Sequence, residues 1–129
     1  MTYQNATEAF VALQPAPYVV EKICRWNLKV CLSITVREDD RLLDFEDGCA
    51  IIRVVKDGLI FRISARDLVT FYGIRTLIEG SLGKLPCGSI RSIEWLPAQG
   101  VPFRAIYEHL GDRFGHNTNP VALPDQQRR

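Results

Sequence analysis

The chain has 129 residues, room for one domain and one contiguous core. Its 47% apolar and 24% charged residues give an ordinary soluble, globular balance. The net charge of +1 comes with no Lys/Arg run, and no apolar run approaches the roughly 20 residues that span a bilayer, so neither a nucleic-acid partner nor a membrane is expected.

The opening "MTYQNATEAFVALQPAP" lacks the charged and apolar regions of a secretory signal, so the expected location is cytoplasmic. "TEAFVAL", residues 7–13, alternates in part and reads as a first strand. Pro17 then stands where a helix tolerates proline, and Val19, Val20, Ile23 and Trp26 recur at helical spacing, predicting a helix over 16–28. In "CLSITVRED" Leu32, Ile34 and Val36 alternate with polar residues, predicting a strand with one buried face. "RLLDFE", "CAIIRVV" and "LIFRIS" continue as strands, the last two each preceded by an Asp-Gly pair. Glycine at 48 and 58 accepts the positive φ of tight hairpin turns.

The five acids Asp44, Glu46, Asp47, Asp57 and Asp67 invite a metal or acid–base reading. Their positions suit turns, a wetter sheet face and, at Asp67, the N-cap of a helix over 67–83. That helix carries Leu68, Phe71, Ile74, Ile78 and Leu82 along one side; Gly73 and Gly80 weaken it locally, and either is a candidate point of close packing. "SIRSIEWL" reads as a sixth strand with Ile93 and Trp95 inward. "PFRAIYEHLGDRF" places Phe103, Ile106, Tyr107, Leu110 and Phe114 on one face of a third helix, stopped by Gly115.

The order is β-α-β-β-β-β-α-β: an α+β fold with an antiparallel sheet of about six strands, two helices on one face, and a C-terminal helix. Residues 1–97 form the core domain, 98–115 the amphipathic helix packing on the core or a partner, and 116–129 a loose tail.

Several chemistries fail on spacing. "EGSLGKL" has Ile78 and Leu85 where a phosphate loop needs Gly and Ser or Thr. No dinucleotide or hydrolase motif occurs, and no cofactor is expected. Cys24, Cys31, Cys49 and Cys87 form no C-x-x-C pair, which argues against zinc. The first three read as core or near-core residues; Cys87 lies in the loop "LPCGS", with nothing beside it to activate a thiol. His109, Asp112 and His116 share a face only on a helix that Gly111 and Gly115 undermine, and they lack a fourth ligand. No nucleophile, base and acid converge, so an enzyme is not expected.

The outer sheet face is mixed. Ser33, Thr35, Arg37, Asp44, Arg53, Arg62, Ser64, Ser92 and Glu94 project there with Leu42, Ile51, Val55 and Ile60. Three readings compete: it packs on the C-terminal helix, it forms a homodimer interface, or it binds a small anionic ligand through Arg53 and Arg62, with Arg37 on the same face.

Residues 6–95 resemble a small bacterial domain family of unknown function, found alone and appended to siderophore-interacting flavoproteins. The likeness rests on "ATEAFVALQPAPYVVEKICRW", "LLDFEDGCAIIRVVKDGLIFRISARD", "LIEGSL" and "IEW". Members tend to carry histidines near the end of the first helix and late in the second; here Trp26, Asn27 and Ser81 stand in those regions. The resemblance implies a fold and a link to iron or siderophore use, and carries over no site. The expected function is a non-catalytic binding or accessory domain; the alternative is a homodimeric interaction module using the outer sheet face.

Overall fold

The computed structural model describes residues 5–85, 93–98 and 100–109. In chain order its elements are β1 (Asn5–Ala12), α1 (Ala16–Trp26), β2 (Ser33–Arg37), β3 (Asp40–Phe45), β4 (Gly48–Val55), β5 (Gly58–Ala65), α2 (Leu68–Gly83), β6 (Leu96–Pro97) and α3 (Arg104–His109). The sheet order is β2-β3-β4-β5-β1-β6, and every neighbouring pair is antiparallel. The α+β reading of the sequence therefore holds, with the first strand inserted beside the fifth.

Alternation sorts the strands onto two faces. Leu43, Phe45, Ala50, Ile52, Leu59, Phe61 and Ile63 turn inward and meet Val19, Val20 and Ile23 of α1 and Phe71, Ile74, Ile78 and Leu82 of α2. Asp67 caps α2, its Oδ1 accepting from the Thr70 backbone N–H at 2.8 Å. Leu68, expected on the buried side of α2, is 58% exposed because it sits in the first turn, ahead of the stripe that reaches the sheet.

The glycines at 48 and 58 are required for a different reason than turn conformation. The two-residue loops are Glu46–Asp47 and Lys56–Asp57, since Phe45 pairs with Gly48 and Val55 with Gly58. Neither glycine has positive φ. A Cβ on Gly58 would stand 2.1 Å from the Val11 carbonyl oxygen, and one on Gly48 2.8 Å from that of Ser64. Close strand approach excludes a side chain at both positions. By contrast, nothing lies within 4 Å of a Cβ built at Gly73 or Gly80, so neither marks close packing.

The sixth strand is shorter than its alternation suggests. Only Leu96 and Pro97 pair, with Glu8 and Thr7 of β1, while Ile93 and Trp95 pack against the main core without strand geometry. Residues 89–92 of that expected strand, Cys87, the helix positions beyond His109 and the tail lie outside the described residues.

Candidate functional site

The outer face is built by register. One row across the sheet runs Thr35, Leu42, Ile51, Arg62, Glu8, Leu96; the next runs Arg37, Asp40, Arg53, Ile60, Phe10. Directly opposed residues of antiparallel strands share a face, so each guanidinium has a carboxylate beside it. Arg53 is bidentate to Asp40, with Nε to Oδ1 at 2.7 Å and Nη2 to Oδ2 at 3.0 Å. Its guanidinium also stacks 4.6 Å from the centre of the Phe103 ring. The hydrogen bond to Asp40 raises the Arg53 pKa further, against the opposing effect of burial.

Arg62 Nη1 donates to Glu8 Oε2 at 2.6 Å. The Glu8 side chain is wholly buried, yet all its partners are defined: besides Arg62, the backbone N–H groups of Phe103 and Ile106 donate to it, the latter at 3.1 Å. Glu8 thus tethers the first turn of α3 to β1, taking up donors a helix start leaves unpaired. Phe103, Ile106 and Ile60 close over this tether as a second, smaller core with Phe10, Ile51, Val55 and Leu96 at its margin. Phe103 holds φ at 68° to enter it, a left-handed conformation that costs an L-residue energy.

Arg53 and Arg62, two of the residues assigned to an anion, are therefore engaged by carboxylates of the same chain, under α3. Arg37 differs. It is exposed on β2, and among the described residues no hydrogen bond or ion pair engages its side chain. The same holds for the side chain of Asp44 on β3.

β2 corrects an expectation. Its alternation suggested one buried face, but its burial runs exposed, intermediate, exposed, exposed, exposed, with Val36 at 63% and the preceding Leu32 at 72%. The reason is position: β2 is the end strand, and α1 passes over β3 to β5 without covering it. Leu28 and Val30, in the turn that follows α1, are exposed as well. Between α1 and the edge lies an open groove of ≈ 210 Å³ lined by Glu21, Cys24, Arg25, Leu28, Ile34, Val36 and Arg41. Arg41 and Glu21 pair across it at 2.6 Å. Burial, with Glu21 adding to it, pushes the Cys24 thiol up to about 11, and burial raises Cys31 too. Both thiols are thus poor nucleophiles near neutral pH. Cys49 lies on the outer face beside the Ser64 hydroxyl, 3.3 Å away, rather than in the helix-covered core.

The two regions where the resemblance leads one to look for histidines come together in space. Asn27 Nδ2 donates to Ser81 Oγ at 3.0 Å and to the Ile23 carbonyl at 2.8 Å, while Ser81 Oγ donates to the Leu77 carbonyl at 2.9 Å. Both residues are 3% exposed. This buried bridge joins the ends of α1 and α2, and the Asn27 amide N–H groups and the Ser81 hydroxyl all find partners within the chain. Among the described residues no three His, Cys, Asp or Glu side chains gather as metal ligands would.

No protein-family model and no curated protein matches the chain. Among solved structures it is similar to the NMR structure of PA4090 from Pseudomonas aeruginosa: TM-score 0.61, 16% identity, covering 75% of this chain and 100% of that one. At that identity the likeness concerns the fold alone.

Proposed function

We propose that this protein is a non-catalytic interaction module whose working surface is the β2 edge with its flanking apolar side chains, Leu28, Leu32 and Val36. The observation that carries this reading is the exposure of those residues beside a strand that no described residue pairs on its outer side. An edge strand offers unpaired N–H and C=O groups, and proteins usually protect such edges with charge, proline or a covering segment. Here the apolar alternation continues to the edge, which suits strand addition by a partner. The outer sheet face is the weaker interaction surface, since α3 occupies its β1–β5 part and Arg53 and Arg62 carry internal partners.

The setting is an accessory role linked to iron or siderophore use. Its support is the sequence motifs of residues 6–95 and nothing in the geometry. The Asn27–Ser81 bridge supports the expectation that this chain does not bind through those positions what a histidine pair would hold.

Photo-crosslinking in cells tests the interaction reading. A benzophenone side chain at Val36 should give a discrete adduct, and one at Val69, 85% exposed on α2, should not. Equal, adduct-free patterns at both positions would remove the reading.

A further inference from the structure

We infer that the partner of the β2 edge is a second copy of the same chain, joined by antiparallel β2–β2 pairing about a two-fold axis at Thr35. The inference rests on the reading of β2 as the working edge and assigns its occupant.

The edge has a fixed hydrogen-bond phase. Glu38–Asp39 is a two-residue loop closing on the Arg37–Asp40 pair. The Val54 N–H donates to the Asp39 carbonyl, so Asp39 faces β4 and Asp40 faces β2. Orientation alternates along an antiparallel strand. Ser33, Thr35 and Arg37 thus direct their backbone groups to β3, while Ile34 and Val36 direct theirs outward.

Only certain self-pairings are then allowed. Outward residues must oppose outward residues, and a two-fold places one residue opposite itself. Centring on Thr35 sets Ile34 against Val36 of the second copy, and Val36 against its Ile34. Both pairs lie on the helix side, where each Val36 would cover the groove floor between Leu28 and Ile34 of the other copy. The two α1 helices then flank one continuous sheet on the same side.

Charge complementarity selects this register. Ser33 opposes Asp44 within the chain, and in the pairing centred on Thr35 it also opposes Arg37 of the second copy. All three side chains lie on the outer face. Arg37 is then two strand spacings, about 10 Å between Cα atoms, from Asp44 of the other copy, with only a serine between them. Among the described residues neither Arg37 nor Asp44 has an ion pair, since Asp40, opposite Arg37, is held by Arg53. The two-fold makes the contact twice. Moving the centre by two residues in either direction removes Arg37 from the Ser33–Asp44 row.

The test combines sedimentation with a register-specific crosslink in the full chain. Wild type should be a dimer at micromolar concentration, and Val36→Lys should raise its dissociation constant about tenfold or more. Arg37→Asp and Asp44→Arg should each weaken the dimer, and the double exchange should restore it. Thr35→Cys should form a disulfide-linked dimer under mild oxidation, since facing residues at a non-hydrogen-bonded pair lie close enough to bridge. Every substituted side chain is exposed or half-buried, and near-UV circular dichroism checks that each variant folds.

A monomeric wild type at high micromolar concentration would overturn the inference. So would a dimer indifferent to Val36→Lys, or one weakened by Arg37→Asp but not restored by the exchange. A cellular adduct at Val36 with a different protein, alongside a monomeric purified chain, would remove the second copy but keep the interaction module. No adduct at all would remove both. A monomer whose Ile34 and Val36 amides resist hydrogen exchange would also overturn it, and would mean that the edge is covered within the chain itself.

Discussion

Glu8 links three parts of the fold through one buried carboxylate. It receives Arg62 from the neighbouring strand and the backbone N–H groups of Phe103, just before α3, and Ile106, within it, with no contact to water. Removing one side of a buried ion pair leaves the other side desolvated and unmatched. Glu8→Ala should therefore lower stability by about 3–5 kcal/mol in urea unfolding. It should also release α3, seen as faster amide exchange at Phe103 and Ile106; unchanged exchange there would sink the tether. Glu8→Gln keeps an acceptor oxygen and should cost less. Cys24 is buried on α1. Its thiol pKa, raised from 9.0 to about 11, means that the folded state holds the proton more tightly than the unfolded chain does. That contribution to stability is whole below pH 9 and is lost as pH rises through 11. Iodoacetamide should label Cys24 slowly at neutral pH, with the rate climbing about tenfold per pH unit until pH 11. Fast labelling at neutral pH would contradict the buried, protonated state.

Among the elements, the β4–β5 and β5–β1 contacts are the least tolerant. Gly58 has the Val11 carbonyl where a methyl would stand, and a backbone atom cannot step aside as a flexible side chain can. Gly58→Ala should cost about 1–3 kcal/mol or more. Gly73, in α2 with open space around it, is the internal control. Gly73→Ala should stabilise by about 0.5–1 kcal/mol, because alanine loses less backbone freedom in a helix. Opposite signs in thermal unfolding would separate glycine kept for space from glycine with no spatial reason. β2 sits at the other extreme. Its side chains would pass as an ordinary half-buried strand, and only its place at the end of the sheet leaves Val36 uncovered.

At the scale of the whole molecule, the chain covers its sheet unequally. α1 and α2 bury the inner face, α3 seals part of the outer one, and β2 remains an end strand with no described strand beyond it. Much of this was legible beforehand. The sequence by itself determined the fold class and most element positions, because hydrophobic period, turn residues and the Asp67 cap are local signals read over a few residues. It also placed Arg37, Arg53 and Arg62 on one face, since strand alternation is local too. It did not show which carboxylate would meet which guanidinium. Glu8 and Arg62 are 54 residues apart in sequence, and their opposition depends on β1 entering beside β5. Nor could alternation distinguish an edge strand from an interior one, or show that Asn27 and Ser81 would touch. Those are consequences of strand order and helix packing, and only the tertiary structure decided them, because non-local pairing selects among strand orders that the same local pattern allows.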